Sequence, residues 1–152
     1  DFINPFLGSV VRTLSVQTST EATPGKLAIK KPGEPLLGDI SGVIGIVSPS
    51  LNGAVVIYFP AATFLGLMSK MLGEECKEIT RDLESGAGEL INIIFGQAKV
   101  VLNHRGYALK TALPTIIVGR NHSVLNSSAG LVVIIPFETA VGQMYVEICV
   151  AR

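Results

Sequence analysis

Residues 81–103 read RDLESGAGELINIIFGQAKVVLN, and the spacing of their apolar side chains sets the frame for everything else in the chain. Leu83, Ala87, Leu90, Ile91, Ile94, Ala98 and Val101 recur at helical intervals on one face. The other side gathers Ser85, Glu89, Asn92 and Gly96 into a stripe about 60° wide. A helix is therefore predicted from about Arg81 to Asn103, ending near Gly106. The start of the chain carries a counterpart. Phe2-Ile3-Asn4 lies over Leu90-Ile91-Asn92, Phe6 over Ile94, Gly8 over Gly96 and Leu14 over Leu102. That first segment is helical in period from Phe2 to Leu14, with Pro5 suited to the first turn and Asn4 to an N-cap.

Between and after these helices run segments rich in Val and Ile, bounded by Gly, Pro and Ser. Three precede the long helix (Leu27–Lys31, Ile40–Val47 and Ala54–Phe59) and three follow it (Tyr107–Val118, Leu131–Phe137 and Met144–Val150). A further helix spans Ala61–Leu72, where Gly73 stops it. Later, Gly53-Ala54-Val55-Val56-Ile57 resembles Gly130-Leu131-Val132-Val133-Ile134. The element order implies a duplication, with pseudo-repeats of about 1–75 and 76–152 inside a single domain. The fold class is α+β: helix plus three-strand units forming an antiparallel sheet covered by helices.

Composition removes several function classes. Twelve Lys+Arg balance twelve Asp+Glu, so there is no electrostatic footprint for nucleic acid. The uncharged stretch from Leu51 to Ser69 is broken by Asn52 and Pro60 and reads as strand then helix, not a membrane span. No basic-then-apolar signal opens the chain, which points to the cytoplasm. Cys76, Cys149, His104 and His122 match no metal-ligand spacing, so no metal is expected on this chain. Charged residues make up only 16%, against about 25% in an average globular protein. That scarcity argues for apolar surface hidden in an oligomer.

Glu89 and Asn92, three residues apart on a helix, are neighbours on its polar face. Such a pair is usually just a solvated surface. Here it sits among Gly86, Gly88 and Gly96, each costing about 1 kcal/mol relative to Ala in a helix interior. Local losses of this kind mark a site or a close approach of backbones. Gly96, one turn beyond Asn92, leaves room for a partner surface. The pattern alone indicates a site, not a reaction.

The pair, preceded by Ser85 and followed by Pro114, resembles the signature of the CheC–CheX–FliY phosphatases. Phe2-Ile3-Asn4-Pro5-Phe6, Asp39-Ile40-Ser41-Gly42, Met71-Leu72-Gly73-Glu74 and Leu113-Pro114-Thr115 are similar to the CheX branch in particular. The resemblance implies hydrolysis of the phosphoaspartate of a phosphorylated CheY-like response regulator. It also implies that the Mg²⁺ is held by that regulator and that no cofactor is bound here. Asn92 would orient the water and Glu89 would anchor a regulator lysine, with Ser85 and Gly96 at the docking surface. A non-catalytic regulator-binding module or a flagellar switch component is the rival reading, against which the intact Glu89 and Asn92 argue.

In the first half, Asp1-x-x-Asn4 stands where Glu89-x-x-Asn92 stands in the second. Asn4 before Pro5 is expected to cap its helix; the alternative is a second, degenerate site at Asp1 and Asn4. Pro114 is expected at a sheet edge or bulge, and Lys30 and Lys31 on an edge strand. The runs Ala54–Phe59, Leu131–Phe137 and Met144–Val150 hold one charge, Glu147, and would make poor exposed edges. A homodimer paired through the sheet follows, as the resemblance also implies.

Overall fold

The computed structural model describes residues 2–30, 38–110, 113–119 and 132–151. In chain order the elements are α1 (Asn4–Thr18), β1 (Ala22–Pro24), β2 (Ala28–Lys30), β3 (Ile40–Val47), β4 (Asn52–Phe59), α2 (Ala61–Leu72), α3 (Arg81–His104), β5 (Thr115–Val118), β6 (Val132–Thr139) and β7 (Gly142–Ala151). The seven described strands form one antiparallel sheet in the order β1-β6-β7-β4-β3-β5, with β2 also paired to β6. The α+β class is as the sequence predicts. The order has a two-fold pattern: β4 and β7 lie at the centre, β3 and β6 flank them, and β5 and β1/β2 close the edges. Each half thus lends its first strand to the far side of the other half.

The core fills the space between one sheet face and the three helices. Phe6, Val10 and Leu14 of α1, Ile40 and Ile44 of β3, Phe64 and Leu67 of α2, and Leu90 and Ile94 of α3 are all buried in it. At about 1.5–3 kcal/mol per buried large apolar side chain, this cluster is the main force holding helices to sheet.

Several expected boundaries move, each for a local reason. Asn4 is not the cap of α1. Ile3 holds that position in helical conformation and makes no side-chain cap bond, while Asn4 is the first helical residue and exposed. Winding begins early because Phe2 packs on Phe6 and Tyr107, with ring centroids 5.5 and 5.3 Å apart, and Phe6 N–H donates to the Ile3 carbonyl. The first strand-like run, Leu27–Lys31, contains β2, and the unpredicted β1 precedes it; Pro24 opposes Phe137 whereas Ala28 opposes Ile134, a slip of one residue between the two strands. Between them Gly25 N–H donates to the carbonyl of Pro136, which has no N–H to return. Among its described residues, the run from Tyr107 is a strand only from Thr115. Gly106 and Ala108 have positive φ, and Asn103 Oδ1 accepts from Leu109 N–H at 2.7 Å, which folds the segment into a loop. Pro114 stands just before β5, an edge strand, as expected.

The three runs expected to need covering are instead interior strands: β4, β6 and β7 each have neighbours on both sides. Lys30 is on an edge strand but is not a solubilising charge. Its Nζ pairs with Glu147 Oε2 at 2.9 Å, the side chains only 8% and 9% exposed. Lys31 lies outside the described residues. On the same sheet face Tyr58 stacks on Tyr145, centroids 5.1 Å apart, and burial followed by the Glu147 charge pushes the Tyr58 hydroxyl far above its ordinary pKa.

Candidate functional site

Helix α3 has firm ends and a well-seated inner face. Thr80 caps it, its hydroxyl accepting from Leu83 N–H, and Asp82 and Glu84 complement the dipole in the first turn. His104, exposed in the last turn, suits the opposite end. Leu83, Ala87, Leu90, Ile91, Ile94, Phe95, Ala98 and Leu102 are buried. The inner face differs from its expected membership at the C-terminal end, where Leu102 turns inward and Val101 is 39% exposed.

Three neighbours fix the helix in place. From α1, the Ser9 hydroxyl donates to the Ile94 carbonyl at 2.5 Å, and Phe6 lies 6.3 Å from Phe95. From β5, Ile116 faces Gly88, where a Cβ would stand 3.7 Å from Ile116 Cγ1. From β3, Gly42 comes so close that any Cβ would collide with Ile91 Cδ1. The approach at Gly88 is ordinary contact, whereas Gly86 has a packing reason, because a Cβ there would meet Met68 Sδ at 3.2 Å. Gly96 has none: among the described residues nothing lies within 4 Å of the position its Cβ would take.

The outward stripe is where the sequence places it. Ser85, Glu89 and Asn92 are exposed and Gly96 is half-buried. Glu89 and Asn92, at i and i+3, have Cβ atoms about 5–6 Å apart. Among the described residues, no side-chain hydrogen bond or ion pair engages either group. An exposed carboxylate and amide with no internal partner can both be offered to another molecule. These groups lie on an open helix face, whereas a groove of about 500 Å³ beside α1 is lined by Leu7, Gly8, Val11, Arg12, Ser15, Val16 and Pro24. Of the first-half pair, Asn4 is exposed on α1, and Asp1 lies outside the described residues.

The family profile described as chemotaxis phosphatase CheX matches residues 40–138, which span α3 whole. The chain belongs to the CheX family. A chemotaxis protein CheX from Vibrio vulnificus superposes with a TM-score of 0.91 at 34% identity, covering 99% of each chain. The CheY-P phosphatase CheX of Thermotoga maritima is 27% identical over 135 residues, or 88% of this chain and 84% of that relative. A complex of CheX with CheY, BeF3 and Mg²⁺ from Borrelia burgdorferi contains a chain of the same fold, with a TM-score of 0.84 at 24% identity, covering 100% of this chain and 99% of that one.

Sequence reasoning missed one residue that holds the site's surroundings together. Asp39 Oδ2 accepts the Ala61 N–H at 2.8 Å and so caps α2 from another element, because Pro60 at that cap has no side-chain acceptor. Its backbone N–H donates to Phe59 O, and its carbonyl accepts from Gly119 N–H. The CheX-like stretch Asp39-Ile40-Ser41-Gly42 thus joins β3 to α2 through Asp39 and to the buried face of α3 through Gly42 and Ile91. No helix among the described residues is long and apolar enough to cross a membrane.

Proposed function

We propose that this chain hydrolyses the aspartyl phosphate of a CheY-like chemotaxis response regulator in the cytoplasm. Asn92 orients the attacking water and Glu89 anchors the docked regulator. The observation that carries this reading is the placement of Glu89 and Asn92, exposed and unengaged, on the outward stripe of a rigidly seated helix. Membership of the CheX family supports the reaction class. The name of the Thermotoga relative and the content of the Borrelia complex support the substrate.

The chemistry asks little of this chain. Water attacks phosphorus, the bond to the aspartyl oxygen breaks in line, and inorganic phosphate and the free carboxylate are released. Such a displacement is accelerated mainly by positioning and charge stabilisation. An amide both donates and accepts, so Asn92 can hold a water in line and remain unchanged. Glu89, an anion facing an anionic phosphoryl group, serves better as partner to a regulator lysine. The Mg²⁺ belongs to the regulator in this reading.

The test uses the purified chain, a panel of phosphorylated regulators and Mg²⁺. Asn92→Ala is expected to lower turnover about a hundredfold while binding weakens much less. Glu89→Ala is expected to damage both. Parental turnover in Asn92→Ala would end the assignment of the water-positioning role.

A further inference from the structure

The outward stripe does not stop at Gly96. At about 100° per residue, Gly96 and Val100 fall about 20° to either side of Glu89 when viewed down the axis, whereas Val101 falls about 120° away. Val100 is 59% exposed. A single exposed valine is ordinary. Two features set this one apart. Valine and glycine are both weak helix formers, and here they stand one turn apart in the same stripe. Neither gains from packing, since Val100 is mostly in solvent and nothing lies near the Gly96 Cβ direction. The stripe therefore reads, from its N-terminal end, as hydroxyl, carboxylate, amide, gap and apolar knob.

We infer that Val100 is an apolar docking contact for the response regulator, reached across the gap that Gly96 leaves, and that it sets affinity rather than rate. The inference rests on the reading of Glu89 and Asn92 as the regulator-facing pair. Size selects the occupant. A standard interface covers about 800 Å² per partner, a disc of about 16 Å radius. Val100 lies about 12 Å beyond Asn92 along the axis at about 1.5 Å per residue, inside a footprint centred on the reacting group. An apolar contact flanking the polar pair would exclude water from it, as the centre of an interface does.

Helix α1 offers a contrast within the same molecule. The alignment that sets Asn4 over Asn92 and Gly8 over Gly96 sets Arg12 over Val100. Gly8 likewise has nothing within 4 Å of its Cβ direction, and Arg12 is exposed. So α1 keeps the amide and the gap but carries a cation where α3 has its apolar knob. Arg12 therefore cannot supply on α1 the apolar contact that Val100 supplies on α3.

The experiment measures kcat and KM for a phosphorylated regulator that the parent chain hydrolyses, with Val100→Arg, Val100→Ala and Val100→Ile in the full chain. Thermal melting checks that all remain folded. Val100→Arg is expected to raise KM about tenfold or more, and Val100→Ala about threefold to tenfold from the lost methyl groups. Val100→Ile should stay within about twofold of the parent, and kcat should change by less than about twofold throughout. A KM unchanged by Val100→Arg, alongside the expected loss of turnover in Asn92→Ala, overturns this contact and leaves the catalytic reading standing. A fall in kcat at constant KM overturns it too. If Asn92→Ala and Glu89→Ala both behave as the parent, the catalytic reading and this contact fall together.

Discussion

Gly42→Ala tests whether the sheet beneath α3 sets the position of the site. A Cβ at residue 42 would collide with Ile91 Cδ1 and stand 3.2 Å from Ile91 Cγ2 and 3.3 Å from Ile116 Cδ1. Ile91 is fully buried and precedes Asn92, so relief must come from rotating a packed side chain or lifting the helix. Overpacking of this kind costs about 1–3 kcal/mol. Ile91→Val removes only the colliding Cδ1 and alone costs about 0.5–1.5 kcal/mol. The double variant should therefore be more stable than the sum of the singles, with a coupling of about 1 kcal/mol or more. Urea denaturation of the four proteins measures this. Turnover in the same set should fall with Gly42→Ala and recover in the double variant, because a shift of the helix moves Asn92. Strict additivity would refute the reasoning, since it would show that Ile91 Cδ1 is not what the new methyl meets.

Asn4→Ala should change stability by less than about 0.5 kcal/mol, because Asn4 is exposed and Ile3 occupies the cap. A large loss of turnover in that folded variant would show that the Asp1 and Asn4 pair also acts. Tyr58 has a raised pKa when folded, so the unfolded chain loses its phenolic proton first as pH climbs. Its contribution is complete below the unfolded value of about 10 and then fades at about 1.4 kcal/mol per pH unit. Tyr58→Phe should flatten the stability curve above pH of about 10 by that slope, and an unchanged slope in urea titrations would count against it. The homodimer is tested by light scattering over a dilution series. A mass near twice 16.0 kDa supports pairing through the outer edges of β5 or β1/β2, and a stable 16.0 kDa species at micromolar concentration refutes it.

Much of this was legible before the structure because it depends on period. The 3.6-residue spacing of Leu83, Ala87, Leu90, Ile91 and Ile94 fixes which face of α3 is buried, and so fixes that Ser85, Glu89 and Asn92 look outward. What period cannot convey is which strands are neighbours. The apolar runs of β4, β6 and β7 suggested exposed edges needing a partner, but they are covered within the chain, because β1 and β2 cross to β6 and β5 crosses to β3. Long-range pairing of charges was equally hidden: Lys30 and Glu147 are far apart in sequence and meet only through the β2-β6-β7 ladder. Asn4 failed as a cap because aromatic packing of Phe2 winds the chain one residue early, a tertiary effect that no local pattern carries. The glycines of α3 divided. Gly86 answers to Met68, a Cβ at Gly88 would make only ordinary contact with Ile116, and Gly96 faces open space among the described residues.

The exposure of the pair bears on how an open helix face can be an enzyme's site at all. A small substrate is usually held in a cleft that surrounds it and excludes water. Glu89 and Asn92 project from a helix surface and can surround nothing. Catalysis by such groups requires that the substrate supply the concavity, and under the proposed function a phosphoryl group seated with Mg²⁺ in the regulator's own pocket would do so. On that proposal this chain would need to deliver only one oriented amide, from Asn92, into a site that already holds the reacting bond and the charge-neutralising metal. Rigidity matters more than enclosure under those conditions, since a misplacement of about 1 Å can cost a factor of about a hundred in rate. The burial of eight residues along α3, the Thr80 cap, the Ser9 bond to the Ile94 carbonyl and the tight seat on Gly42 all serve that one requirement. By the same logic, selectivity among regulators must come from surfaces around the pair rather than from the pair itself. If Asn92 acts as proposed, every phosphorylated receiver would present the same chemistry to it, and neighbouring side chains such as the proposed Val100 contact would be where one partner is told from another.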